Sequence, residues 1–173
     1  MSISDSWKNR IAHSMHRPFL RRFMHWGIRL FVPKRPVGVG LVLTDENGRV
    51  LLLRHVFHPE HPWGLPGGWL KRHETPQNGA LRELREETGL TAVLGPVLAI
   101  DDIDRPFHIG IIFLASLPTG QPTPPILSSE IIAADWFRPD DLPDLLPFHQ
   151  RAIETAVRYR QSDAPFPNTK ANR

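Results

Sequence analysis

Two apolar runs, residues 37–43 and 50–53, flank a polar stretch that contains Asn47 and Gly48. Runs of this length on either side of a turn dipeptide predict two strands joined as a hairpin. Residues 92–100, 109–116 and 131–137 repeat the strand pattern, whereas 55–68 is rich in His, Pro and Gly and reads as a loop. A second proline-rich loop spans 117–125. Between the strands, residues 76–88 are strongly charged and predict a helix: Thr75 suits its N-cap, Pro76 its first position and Gly89 the residue just past its end. Residues 148–159 carry Ile153, Ala156 and Val157 at helical spacing and predict a second helix. This order of strands with one central and one terminal helix predicts an α/β domain with a mixed sheet between helices.

The chain's N-terminal end differs from the rest. From Arg17 to Val32, Phe19, Leu20, Phe23, Met24, Leu30 and Phe31 recur at three- and four-residue intervals among Arg21, Arg22 and Arg29, the pattern of a basic amphipathic helix. Residues 1–36 hold eight Lys or Arg against the single acid Asp5, and the remainder of the 173-residue chain is net negative. The chain therefore divides into a basic leader (1–36), a domain (37–160) and a polar tail (161–173). Because the positive charge is confined to the leader, it predicts no specific nucleic-acid partner. The leader's apolar stripe is expected to pack on the domain or on a second copy in a homodimer. Contact with a membrane surface is the less favoured alternative, and an organellar transit peptide is a third. The chain has no cysteine, so disulfides, thiolate metal sites and a cysteine nucleophile are excluded. With no run of about 18 apolar residues, the expected location is cytoplasmic.

Candidate chemistry concentrates on the charged helix. Glu83, Glu86 and Glu87 stand at i, i+3 and i+4, which places three carboxylates on one helix face. Such a cluster fits a solvated face laced with ion pairs, Arg82 being four residues before Glu86, and equally fits a bound divalent metal. Oxygen donors without sulfur favour a hard ion, Mg²⁺ or Mn²⁺, and Mg²⁺ held by few carboxylates implies a phosphate-bearing substrate.

Gly68, Glu74, Arg82, Glu83, Glu86, Glu87 and Gly89, with Leu84 and Leu90 as aliphatic positions, resemble the Nudix box G-x5-E-x7-R-E-U-x-E-E-x-G-U at every fixed position. Seven such matches arise by chance on the order of 10⁻⁹ per start site at roughly 6% per residue type. The residues around the box, from about Val37 to Tyr159, are also similar to Nudix hydrolases. Asn78 and Gly79 depart from good helix formers in the first turns.

The resemblance implies a Nudix-type α/β/α sandwich with a mixed central β-sheet. It implies metal binding by Glu83, Glu86, Glu87 and the Gly68 carbonyl, with Arg82 orienting a glutamate. Glu74 is either a metal contact or a structural residue at the loop–helix junction. Glu130, six residues before Trp136, matches where some members place a further metal-binding or water-activating carboxylate; a solvent-facing loop acid is the other reading. The activity implied is metal-dependent hydrolysis of a nucleoside diphosphate linked to another moiety. Pro106, 16 residues beyond Leu90, resembles a proline marker of ADP-ribose pyrophosphatases and favours ADP-ribose or a nucleotide sugar. A triphosphate pyrophosphohydrolase and a non-catalytic nucleotide-sugar sensor are the alternatives. Phe107 and Trp63 are candidates for a stacking face under a nucleobase, together with Phe57 and Trp136, core packing being the equal alternative for Trp63 and Trp136. His55, His58, His61 and His108 read as loop or phosphate-contacting residues rather than a zinc site.

Overall fold

The computed structural model describes residues 34–57, 59–103, 107–118 and 128–162. Leader residues 1–33, tail residues 163–173, His58 and Pro106 lie outside the described residues. In chain order the elements are β1 (Val37–Thr44), β2 (Val50–His55), β3 (Trp63–Gly64), β4 (Gly67–Trp69), α1 (Pro76–Thr88), β5 (Val93–Ile103), β6 (His108–Ser116), β7 (Ile131–Phe137) and α2 (Pro147–Gln161). Together they make an α/β fold with one mixed seven-stranded sheet and two helices.

Strand β1 organises the sheet. It runs parallel to β6 from Val37 opposite Ile109 to Thr44 opposite Ser116, and antiparallel to β4 with Val39 opposite Gly68. The expected hairpin between β1 and β2 forms, and its turn is held by the Asp45 carboxylate, which accepts from the Asn47 and Arg49 amides at 3.0 and 2.8 Å. Its ladder is confined to Thr44 opposite Val50. The reason is competition: β4 and β6 take the hydrogen-bonding edges of β1, so β2 turns away and pairs with β3 and β7. The 55–68 segment, expected to be a loop, contains β3 and the start of β4. Strands of two and three residues rich in glycine carry no side-chain alternation from which a sequence could reveal them.

The apolar runs are buried on both sides, as expected of strands covered by helices. Along β1, β2 and β6 successive residues alternate between two cores. Val39, Leu41, Leu43, Leu51, Leu53, Phe113 and Ala115 join Ala80 and Leu84 of α1 in one. Val42, Val50, Leu52, Ile112 and Leu114 join Ala152, Ile153 and Ala156 of α2 in the other. Burying each of the larger side chains contributes roughly 1.5–3 kcal/mol, so each helix is fixed to its face chiefly by its apolar stripe. On β5 the pairing shifts register between Leu94 and Ala99, across Pro96, which has no amide hydrogen to give to the ladder.

Candidate active site

The charged helix begins and ends where its cap residues stand. Thr75 Oγ1 accepts from the Asn78 amide at 3.3 Å, Pro76 occupies the first turn, and Gly89 adopts φ 72°, its amide returning to the Arg85 carbonyl at 2.9 Å. Gly79, unfavourable by helix propensity, sits in close packing. A Cβ there would lie 2.8 Å from Leu70 Cδ1 and 3.3 Å from both Glu74 Oε2 and Val39 Cγ2. Its absence lets α1 approach the 70–74 segment, from which Glu74 reaches the helix.

Arg82 is the centre of a polar network on this surface. Its Nε and Nη2 donate to the two Glu74 carboxylate oxygens at 2.8 and 2.9 Å, a bidentate pair. Nη1 donates to Glu83 Oε1 at 2.7 Å and Glu86 Oε2 at 3.0 Å, and Nη2 also reaches the Trp69 carbonyl at 3.1 Å. Glu74 receives a further bond from the Lys71 amide at 3.0 Å. The Arg82 guanidinium, with help from that amide, holds the Glu74 carboxyl down to about 2. Glu86 is also held below the ordinary carboxylate range, first by the Lys71 ammonium at 3.1 Å and then by Arg82. Glu74 thus stands at the loop–helix junction, bonded to Arg82 rather than facing open solvent.

Glu87 has a different environment. Its residue is buried, and Oε2 accepts from the Gly67 amide at 3.0 Å. Burial pushes its carboxyl up to about 8 against the effect of that hydrogen bond, and the negative charges of Glu83, Glu130 and Glu86 push in the same direction as burial. Gly68 lies beside this group: a Cβ on Gly68 would come within 2.5 Å of Glu83 Cδ, so only glycine admits the Glu83 carboxylate against β4. The loop before β7 is tied to the helix end by the Ser128 amide on the Glu87 carbonyl at 3.1 Å, which brings Glu130 into the field of Glu87.

Six of the residues singled out in the sequence are therefore brought together: Gly68, Arg82, Glu83, Glu86, Glu87 and Glu130. Of the aromatic candidates, Phe57 is exposed and follows Val56, whose amide bonds the Glu130 carbonyl at 3.1 Å, and Trp136 packs partly buried against the core beneath α1. Trp63 packs edge-on against Phe137, 5.0 Å between ring centroids, on the core beneath α2. Phe107 is exposed and lies under the Arg35 guanidinium, 4.0 Å from its ring centroid. Lys71, the Trp69 carbonyl and the Gly67 amide belong to the network but were not foreseen. A basic residue inside an acidic motif was the one available signal for Lys71, and backbone groups carry none.

Among the described residues no three carboxylate or imidazole side chains converge as the ligands of an ion would. Each carboxylate has a partner within the chain instead: Glu83 is bonded to Arg82 beside Gly68, Glu86 to Arg82 and Lys71, and Glu87 to the Gly67 amide. The donor set nevertheless fits a hard divalent cation. It is all oxygen, and it includes a buried carboxyl made costly to ionise by burial and by three neighbouring negative charges, which a cation would offset.

Residues 34–157 match the NUDIX domain family. A MutT-like protein of Streptomyces ambofaciens is 31% identical over 110 residues, covering 64% of this chain and 68% of its relative. An ADP-ribose pyrophosphatase of Methanocaldococcus jannaschii is 27% identical, covering 68% and 71%. An RNA pyrophosphohydrolase of Saccharophagus degradans is 42% identical, but over 36% of each chain. Among solved structures, the MutT NUDIX hydrolase of Burkholderia pseudomallei superposes with a TM-score of 0.62 at 30% identity, over 71% of this chain and 98% of that one. The chain belongs to the NUDIX domain family, and with it to the hydrolases that act on phosphoanhydrides. Among the described residues no helix is long and apolar enough to cross a membrane.

Proposed function

We propose that the chain is a Mg²⁺-dependent pyrophosphohydrolase, Mn²⁺ being an acceptable substitute, that cleaves a nucleoside diphosphate linked to a second moiety, with ADP-ribose or a nucleotide sugar preferred. The observation that carries the reading is the gathering of Glu83, Glu86 and the buried Glu87 against Gly67 and Gly68, a donor set of oxygen alone in which burial and the neighbouring carboxylates push Glu87 up to about 8. Glu83, Glu86, Glu87 and the Gly68 carbonyl would hold the cation. Bound there, it would acidify water and neutralise charge on phosphoryl oxygens.

The chain's own residues supply the remainder. Arg82, fixed by Glu74 and the Trp69 carbonyl, sets the positions of Glu83 and Glu86. A glutamate, Glu87 or Glu130, accepts the proton of the attacking water as its oxygen bonds to one phosphorus and the bridging P–O bond breaks, the departing phosphate keeping the electron pair. Glu130, whose charge acts on Glu87 but which is not among the residues that would hold the cation, is the freer of the two to do so.

The preference for a diphosphate-linked substrate is supported by the Pro106 spacing and by the ADP-ribose pyrophosphatase among the relatives that align over most of their length. The likeness to RNA pyrophosphohydrolases spans a shorter segment and adds no comparable support for RNA. The test is kcat/KM with Mg²⁺ for ADP-ribose, a nucleotide sugar, a nucleoside triphosphate such as 8-oxo-dGTP and RNA, measured side by side. ADP-ribose or the nucleotide sugar should lead. A higher value for the triphosphate or for RNA overturns the substrate choice and leaves the hydrolase class standing.

A further inference from the structure

Both oxygens of Glu86 are occupied by the chain's own cations, and the two cations are held very differently. Arg82, with its side chain 19% exposed, bonds Glu86 Oε2 at 3.0 Å while four other bonds fix it to Glu74, Glu83 and the Trp69 carbonyl. Lys71 bonds Glu86 Oε1 at 3.1 Å, and its side chain is 60% exposed at the end of a flexible stem. An ammonium on such a stem is a mobile point charge, whereas a multiply bonded guanidinium is a fixed one. When a divalent cation takes Glu86, the ammonium occupying one of its oxygens must move, and of the two cations Lys71 is the one free to do so.

We propose that Lys71 is an internal counter-ion of the site: it holds Glu86 when no divalent cation is bound, is displaced when one binds, and so lowers the affinity of the site for that cation. The proposal rests on the reading that Glu86 is a metal ligand. It assigns Lys71 a positioning role and no contact with the reacting atoms. Its neighbour Arg72 is also an exposed cation of the same segment, so it serves as a control for charge without contact.

The experiment titrates Mn²⁺ into the chelator-stripped full-length protein and follows the electron paramagnetic resonance signal of the free ion. Exposed ion pairs being weak, Lys71→Met should bind Mn²⁺ about two- to five-fold more tightly than the unmodified chain. Lys71→Arg and Arg72→Met should leave the affinity unchanged, and Lys71→Met should have no effect in a chain already carrying Glu86→Gln. Weaker binding by Glu86→Gln without any tightening by Lys71→Met overturns the counter-ion role and leaves the metal reading intact; so does equal tightening by Arg72→Met. If Glu86→Gln binds Mn²⁺ as tightly as the unmodified chain, Glu86 is not a ligand and both ideas fall.

Discussion

Helices α1 and α2, of 13 and 15 residues, both start with proline and both bury a narrow apolar stripe on the same sheet, yet they are attached in different ways. Helix α1 is bonded at its N-cap by Thr75, closed by Gly89 in the left-handed conformation and tied along its outer surface to Trp69, Lys71 and Glu74 of the preceding segment. Helix α2 begins at Leu146 without a side-chain cap, and its polar bonds to the rest of the domain are scattered along its length: the Leu65 amide to His149 Nδ1, Arg151 to Asp101, and Arg160 to the Asp45 carbonyl. Apolar burial fixes which face a helix presents but tolerates small slides and rotations. Directional polar bonds remove that freedom. Both helices have both kinds of attachment, but on α1 the polar bonds converge on Arg82 and the carboxylates, whereas on α2 they are scattered along the helix.

The largest expected effect tests what the two helices share. Leu84→Ala and Ile153→Ala each empty a fully buried position, and each should lower unfolding free energy by about 2–5 kcal/mol in urea titration. Their effects on turnover should diverge at a temperature where both variants remain folded. A cavity under Leu84 allows Glu83 and its neighbours to shift, and misplacement by a fraction of an ångström slows chemistry, whereas Ile153 supports no carboxylate of the site. Equal losses of kcat in the two variants would show that α2 positions the site as closely as α1 does.

Next in size is Glu87→Gln, which keeps the shape of the side chain and removes its charge and basicity. Turnover should fall roughly 10²-fold or more while thermal unfolding remains cooperative. Glu154→Gln, an exposed carboxylate of α2, should leave turnover unchanged. Near-normal turnover in Glu87→Gln, with the Mg²⁺ dependence intact, removes Glu87 from the mechanism.

Sequence reasoning resolved α1 almost to the residue because its signals are local: Thr75, Pro76 and Gly89 each act on the backbone within one turn. The long strands were legible from apolar runs, but their partners were not. Nothing in residues 37–53 records that β4 and β6 would take both edges of β1 and leave β2 a single pairing there. At the site, helical spacing placed Glu83, Glu86 and Glu87 on one face and could not rank them. The ranking comes from the neighbouring β4 strand: Glu87 is buried against the Gly67 amide, Glu83 fits where Gly68 lacks a Cβ, and Glu86 remains half exposed. Such differences arise from tertiary contacts across 15 to 20 residues, beyond the range of any spacing rule.

The pH dependence of stability sharpens the contrast further. With its carboxyl raised from 4.5 to about 8, Glu87 keeps a proton in the folded chain that the unfolded chain releases above pH 4.5. Its contribution to stability is fully present below pH 4.5 and is lost as pH rises through about 8, with a slope of at most about 1.4 kcal/mol per pH unit. Glu74, lowered to about 2, acts in the opposite sense, its contribution disappearing only as pH falls below 4.5. In a metal chelator the thermal midpoint should therefore decline between pH 5 and 8, and saturating Mg²⁺ should flatten or reverse the decline by favouring the ionised carboxyl. A flat profile in chelator would mean that Glu87 ionises at its ordinary pH.

The smallest effect concerns the segment that ties α1 down. His73 has φ 65°, among the described residues the one non-glycine side chain in the left-handed region, and it stands immediately before Glu74 in the turn closed by the Glu74 amide on the Lys71 carbonyl at 3.2 Å. A side chain held there costs about 1–2 kcal/mol, and replacing it with glycine would relieve that strain while adding roughly 0.5–1 kcal/mol of unfolded-chain entropy. His73→Gly should therefore raise stability by up to about 1 kcal/mol, read as a higher denaturant midpoint at unchanged slope. Because the Lys71 and Glu74 bonds to α1 do not use the His73 side chain, Mg²⁺-dependent turnover should be preserved. A gain in stability accompanied by a fall in kcat would mean that the stiffness of this turn, and not only its hydrogen bonds, holds Arg82 and the glutamates in place. The convergent polar attachment that distinguishes α1 from α2 would then depend on backbone rigidity as well as on the side chains that make it.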